Sequence, residues 1–152
     1  MDPKSLKNIL LVKCREYVES RIATAQQAKD DAQAAANEES KSSVGDKYET
    51  GRSMMQIEGE KAAHQLAEAL KLKNILDRLL PGARSEKVIV GSLVITDANK
   101  VFIAIGIGKL NVDNDEVLVV APTSPLGKVL MGHSANDRVF FNNVTVIIRE
   151  VV

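Results

Sequence analysis

The sequence predicts an α+β protein in which an N-terminal antiparallel helical hairpin, residues 1–80, precedes a small antiparallel sheet domain, residues 86–152. Residues 3–38 contain one Pro and no Gly, and residues 52–80 contain one Gly and no Pro, so both stretches can form long helices. After residue 85 the sequence changes to short runs rich in Val and Ile, which are typical of strands. The Pro and Gly of residues 81–85 indicate a linker between the two parts.

The first helix is predicted to begin at Asp2 and Pro3. Asp accepts hydrogen bonds from the free N–H groups of a helix start, and Pro at the first helical position loses no hydrogen bond. Apolar residues then follow at spacings of 7, 4, 3, 7 and 4, which places them on one helical stripe: Leu11, Val18, Ile22, Ala25, Ala32 and Ala36. The distal part of this stripe is almost wholly alanine, so a partner helix can approach closely there.

The second helix carries a matching stripe in the opposite order, with small residues first and leucines last. Its members are Met55, Ala62, Leu66, Ala69, Leu72, Leu76 and Leu79. Between the helices, the stretch 42–51 holds the Ser and Gly residues typical of a turn and is predicted to form the tip of the hairpin. Each helix of about 30 to 35 residues would span roughly 45 to 50 Å. The tip therefore carries two carboxylates, Asp46 and Glu49, far from the base.

The second half predicts five strands with at most one short helix, over Ser124 to Met131. The strand runs are Val88–Ile95, Val101–Ile105, Glu116–Ala121, Val139–Phe141 and Val144–Val151. The pair Asn142 and Asn143 predicts a two-residue hairpin turn, because Asn tolerates a positive φ.

Composition argues against several classes of protein and site. The formal net charge is zero, which favours neither a nucleic-acid binder nor a membrane binder. The single cysteine, Cys14, is expected to be a small core residue, and the apolar piece Ile9–Val12 is too short for a signal or membrane segment. His64 and His133 are too far apart in sequence to indicate a metal site. We expect a cytoplasmic protein.

Three stretches resemble the bacterial Gre-type transcript-cleavage factors. The first is Gly45-Asp46-Lys47-Tyr48-Glu49, which resembles the family's Gly-Asp-x-x-Glu at the start of the second helix. The other two lie in the second half of the chain, in the family's order. One is Val90–Val94, and the other is a single run made of Ser124–Gly127, Leu130–Gly132 and Asn136–Val139. The resemblance covers nearly the whole chain.

The resemblance implies a coiled-coil hairpin joined to an FKBP-like domain, and a role as a transcription elongation factor that binds RNA polymerase through its secondary channel. Asp46 and Glu49 would help hold a second Mg²⁺ at the polymerase active site, where the polymerase hydrolyses the 3′ end of backtracked nascent RNA. The chain would be an accessory factor rather than an enzyme, with no metal bound in isolation, no membrane partner and only indirect contact with DNA.

The resemblance also points to docking on polymerase through Ser124, Pro125 and Leu126. At the tip, Lys47, Tyr48 and Arg52 are candidates for contact with RNA, although solvated charge is the simpler interpretation of the two cations.

Other interpretations stay open. Asp-x-x-Glu at a helix start is also a capping box, in which Asp46 and Glu49 serve the helix itself. The family continues after this motif with Asn, Glu and Tyr, whereas residues 50–53 of this chain are Thr-Gly-Arg-Ser. This difference keeps open the alternative of a regulator that binds polymerase without promoting cleavage. A coiled-coil dimerisation module is a third possibility. Prolyl isomerase activity is disfavoured, because the second half offers few aromatic residues for such a pocket.

Overall fold

The structure, a computed structural model of the 152-residue chain, describes the backbone of residues 1–41, 45–80 and 82–152, and the side chains of residues 1–38, 50–80 and 82–152. Two long helices come first, α1 over Pro3–Lys41 and α2 over Gly45–Asp77. Six strands and one short helix, α3 over Pro125–Leu130, follow them. The predicted α+β class, with a helical hairpin before a mostly antiparallel sheet, is confirmed.

The start of α1 is capped as its sequence predicts. Asp2 Oδ1 accepts from the Ser5 amide at 2.9 Å, and Asp2 Oδ2 accepts from the Ser5 hydroxyl at 2.9 Å. The Ser5 amide, followed by its hydroxyl, lowers the pKa of the Asp2 carboxyl, since both bonds favour the charged form. Within the described ranges, no helix combines the length and apolar content that a bilayer crossing requires.

The chain groups into two compact units. One consists of Met1–Arg15 with Asn74–Val152, and the other of Glu16–Lys73. The first turns of α1 and the end of α2 therefore belong to the unit that contains the sheet. The division into domains at residues 81–85 stays a prediction.

Within Glu16–Lys73, α1 and α2 meet along a seam of small side chains. Its buried members are Ala25, Ala32, Ala62 and Ala69. A Cβ built on Gly59 would lie 3.7 Å from Ala32 Cβ, so the two backbones approach closely at this level. Nearer the start of α1, Ala25 lines a surface hollow together with Gln65 of α2. The earlier residue of α1 thus lies beside the later residue of α2, so the two helices run antiparallel. The two predicted stripes are thus confirmed at these four alanines.

The sheet has the strand order β3-β4-β2-β1-β6-β5. Its strands are β1 Leu93–Thr96, β2 Lys100–Ile103, β3 Gly108–Val112, β4 Asp115–Val120, β5 Arg138–Phe141 and β6 Val144–Val151. Every pairing is antiparallel except that of β2 with β4, which is parallel. The sheet is thus mostly antiparallel, as predicted, and the one parallel pair arises because the chain forms β3 before β4 returns beside β2.

Two further differences concern strand bounds. Gly108–Val112 was not predicted as a strand, yet it pairs along its length with β4. Conversely, the first residues of the predicted strand at Val88–Ile95 lie outside β1, which begins at Leu93. The hairpin turn at Asn142 and Asn143 is confirmed, with φ values of 51° and 62°.

The core of the sheet unit lies between one sheet face and α3. Its buried members are Val88, Val94, Val101, Ile103, Leu130, Val139, Ile148 and Val151. Partly buried side chains, among them Leu118, Leu126 and Val146, extend this core toward the surface. The face of the sheet that α3 covers thus packs against α3 through branched aliphatic side chains.

The seam yields a stability prediction. Gly59→Ala should raise the free energy of unfolding by about 0.5–1 kcal/mol, because Gly is a poor residue inside a helix and the added methyl would meet Ala32 at an ordinary contact distance of 3.7 Å. Urea unfolding followed by far-UV circular dichroism measures the change. Glu58→Ala, an exposed neighbour on the same helix, is the control and should change stability by less than about 0.5 kcal/mol. Destabilisation by Gly59→Ala alone would show that the seam is tighter than the structure indicates.

Candidate functional site

Of the predicted tip, residues 42–51, the first three lie outside the described residues. Helix α2 begins at Gly45, so residues 45–51, which were predicted as the second part of the turn, are helical. Asp46 and Glu49 are three residues apart in the first turns of α2, a spacing that places them on one side of the helix. The side chains of Asp46, Lys47, Tyr48 and Glu49 lie outside the described residues. Their backbone positions put both acids at the positive end of a 33-residue helix dipole, which favours negative charge.

Arg52, the remaining candidate for RNA contact, is exposed and already interacts within the protein. It lines a hollow of about 410 Å³ between the two helices, together with Lys29 and Glu60. Small residues of the seam, Ala32 and Gly59, lie in the same hollow. The hollow therefore combines two cations and one carboxylate with small apolar residues of the seam.

The predicted docking residues Ser124, Pro125 and Leu126 form the start of α3. Ser124 is the N-cap, with its hydroxyl accepting from the Gly127 amide at 3.0 Å and donating to the Ala121 carbonyl at 2.7 Å. Pro125 occupies the first helical turn, where it loses no hydrogen bond, and it is exposed. Leu126 is partly buried against the core. Pro125 is therefore exposed, whereas Ser124 and Leu126 are partly buried.

Gly127 fixes the geometry of this segment. A Cβ at this position would lie 2.2 Å from the Ala121 carbonyl oxygen and 2.9 Å from Ser124 Oγ. Since real Cβ atoms do not approach a carbonyl so closely, only Gly allows the chain to close on Ala121. The Ser-Pro-Leu-Gly run is thus a rigid local structure that holds Pro125 at the surface.

An apolar hollow of about 260 Å³ adjoins Leu126, between α3 and the sheet. Its apolar lining includes Leu118, Leu130 and Phe141, and Asn99 and Asn142 also line it. The structure therefore brings Leu126 to a concave apolar surface with a few polar groups, which is the usual character of a recognition site.

The two histidines belong to different units of the chain. His64 is exposed on α2, and His133 Nδ1 lies 3.2 Å from Asp137 Oδ2 in the sheet unit. Asp137 Oδ2 also accepts from the Ser134 amide at 2.8 Å, and this bond is the main reason that the pKa of Asp137 lies below its usual value. The His133–Asp137 pair closes a turn. Among the described side chains, no group of three or more His, Cys, Asp or Glu is arranged to hold a metal.

Cys14 is buried, as predicted, and burial raises the pKa of its thiol to about 12. The group is therefore protonated near neutral pH and behaves as a small apolar side chain.

Lys7 has a role that the sequence analysis did not identify. Its Nζ donates to the Ala83 carbonyl at 2.7 Å and to the Val152 main-chain oxygen at 3.1 Å. Burial, and secondly the charge of Arg84, lower the pKa of the Lys7 ammonium. Lys7 therefore ties the first turns of α1 to two distant segments of its own unit. No sequence signal indicates this, since a lysine beside an apolar stripe is ordinarily solvated.

Comparison with known proteins gives one distant similarity. No family model matches the chain, and no curated protein matches it. Among solved structures, the chain is similar to that of the transcription factor Gfh1, with a TM-score of 0.35 and 17% sequence identity over 90% of this chain and 91% of that one. At this level the similarity assigns no residue of one chain to a role in the other.

The start of α3 yields a second prediction. Ser124→Ala should lower the free energy of unfolding by about 1 kcal/mol through loss of the N-cap, and Gly127→Ala should lower it by about 1–3 kcal/mol through the clash with Ala121. Lys128→Ala, exposed on the same helix, is the control and should have little effect. Thermal unfolding measures all three. A Gly127→Ala protein as stable as wild type would contradict the closeness of Ala121.

Proposed function

We propose that this chain is a transcription elongation factor that binds RNA polymerase and stimulates cleavage of the 3′ end of backtracked nascent RNA. The observation that carries the proposal is the position of the Gly-Asp-x-x-Glu run. It begins at Gly45, the first residue of a 33-residue helix that packs antiparallel on α1. The order of the other motifs that resemble the Gre-type factors supports the same function.

The chemistry explains why a carboxylate pair would be delivered on a helix end. Two metal ions about 3.5–4 Å apart clamp the attacking and leaving oxygens in phosphodiester hydrolysis. Mg²⁺ takes oxygen ligands and keeps several waters, so one or two added carboxylates improve a weakly held second ion. Asp46 and Glu49 would supply that charge, and α2, at 33 residues, has a length of about 50 Å from the rise per residue.

In this proposal the polymerase performs the hydrolysis and the chain contributes ligands. The Mg²⁺ is shared with the polymerase active site, because two neighbouring carboxylates alone make a poor Mg²⁺ site. Lys47 and Tyr48 would lie beside the RNA end, with Arg52 one turn further along α2. Contact with DNA would be indirect.

Docking is assigned to the start of α3. Pro125 is exposed and held rigidly by the Ser124 cap and the Gly127 contact. The apolar hollow beside Leu126 offers a recess for an apolar side chain of the polymerase. A rigid projection next to an apolar recess needs little ordering on binding, which favours affinity.

The second candidate function is a regulator that enters the same channel without promoting cleavage. Gly51 lies inside α2, two residues after Glu49, and Gly inside a helix costs about 1 kcal/mol relative to Ala. The first turns of α2 are thus intrinsically weak where the acids must be held, and residues 50–53 differ from the pattern of the cleavage-stimulating family. This observation favours binding with less efficient cleavage.

A cleavage assay tests the proposal. Purified backtracked elongation complexes are incubated with wild type, Asp46→Asn and Glu58→Gln, the last being an exposed carboxylate further along α2. Wild type should shorten the RNA, and Asp46→Asn should slow this at least about tenfold, which equals about 1.4 kcal/mol of barrier. Glu58→Gln should act as wild type does, and all three should bind polymerase equally.

The other outcomes discriminate among the alternatives. Binding without RNA shortening by wild type would establish the channel regulator. Absence of polymerase binding, together with a dimer mass by light scattering, would establish a coiled-coil dimerisation module instead.

A further inference from the structure

An apolar groove lies within the sheet unit, where the first turns of α1 and the end of α2 meet the segment before β1. Its walls are Leu11, Leu79, Leu80, Ile89 and Phe102, and it encloses about 150 Å³. A cavity of about 150 Å³ with such a lining holds a molecule of the size of benzene. The groove therefore has room for one apolar side chain of a ligand.

The apolar surface continues beyond the groove itself. Leu80 is 72% exposed and Ile89 is 45% exposed, which is unusual for such large apolar side chains at a concave surface. Two more exposed residues extend the patch along the helices by helical spacing. They are Val12, 53% exposed and four residues after the groove residue Asn8, and Ile75, 37% exposed and four residues before Leu79.

Contiguous exposed apolar patches mark interaction surfaces. A small molecule seated in the groove would leave most of this patch in water. An elongated apolar surface that follows two helix ends suits an amphipathic helix, which lays one apolar face into a groove and anchors it with side chains at i, i+3 or i+4, and i+7.

The charged residues that line the groove indicate which charge a bound helix should carry beside its apolar face. The only charged residues that line it are basic, Lys7 and Arg78. Arg78 is exposed, whereas Lys7 is partly buried and donates to the Ala83 and Val152 main-chain oxygens. Among the described side chains, neither cation forms an ion pair with an Asp or Glu. Acidic residues on the flanks of a bound helix would complement these two cations.

A second copy of the chain fits this surface less well. In a two-fold dimer the same patch meets itself, so Lys7 and Arg78 of both copies would come close together. Like charges that face each other across an interface disfavour association.

We propose that this groove binds an acidic amphipathic helix of a partner protein, with a leucine or similar side chain inserted between Leu11, Leu79 and Phe102. The inference stands on the groove alone and does not depend on the proposed function.

Fluorescence anisotropy with a defined probe tests the proposal. The probe is a labelled 18-residue helical peptide (about 27 Å long) with Leu at i, i+3, i+4 and i+7 positions and Glu elsewhere. Matched peptides carry Lys in place of Glu, or the same residues in scrambled order. The full chain should bind the acidic helix at least about tenfold more tightly than either matched peptide, a difference of about 1.4 kcal/mol.

Variants locate the binding surface. Leu80→Ser and Arg78→Glu should each weaken binding of the acidic peptide at least about fivefold. Arg78→Glu should also reduce the ratio of the affinity for the acidic peptide to the affinity for the Lys peptide. Phe140→Ser is the control, since Phe140 is 64% exposed on β5 and does not line the groove. Circular dichroism confirms the fold of each variant.

Three results would overturn the proposal. One is the absence of saturable binding of the acidic peptide at concentrations up to about 1 mM. A Kd of about 1 mM corresponds to a binding free energy of about −4 kcal/mol. Another is equal loss of binding with Phe140→Ser. The third is a dimer of the free chain that Leu80→Ser dissociates, since this would make a second copy the occupant.

Discussion

The close approach of α1 and α2 is the constraint on which the hairpin depends. Ala32 Cβ would lie 3.7 Å from a Cβ on Gly59, and alanines fill the buried positions on both sides of that level. Alanine buries little apolar area, so much of the stability of this segment comes from helix propensity rather than from a large core. Larger apolar residues, Leu6, Leu10 and Leu76, are buried in the sheet unit, where they add to its core.

Several polar side chains that invite a chemical interpretation are already used in holding the fold. Ser124 caps α3, Asp137 closes a turn with His133, and Lys7 ties α1 to Ala83. None of the buried side-chain polar atoms among the described residues lacks a hydrogen-bond partner. In the described part of the chain, these polar groups therefore have structural roles.

The features that follow from local periodicity were predictable from the sequence, and those that depend on distant contacts were not. The seam alanines repeat at helical spacing, and the adjacent pair Asn142 and Asn143 predicts the hairpin turn between β5 and β6. In contrast, β3 begins with Gly108 and carries polar residues, so it lacks the apolar alternation of a strand and is defined by its pairing with β4. Three other features join residues far apart in sequence and were not predictable. They are the parallel pairing of β2 with β4, the hydrogen bonds of Lys7 to Ala83 and Val152, and the groove around Leu79.

The central claim is that the start of α2 reaches the catalytic centre of the polymerase, and position-specific crosslinking tests it most directly. Burial and a pKa of about 12 make the native thiol of Cys14 unreactive, so a Tyr48→Cys protein can be labelled with a photoactivatable group at that position alone. In backtracked complexes, the account predicts crosslinks from position 48 to the 3′ end of the RNA. Crosslinks confined to the outer surface of the polymerase would contradict it.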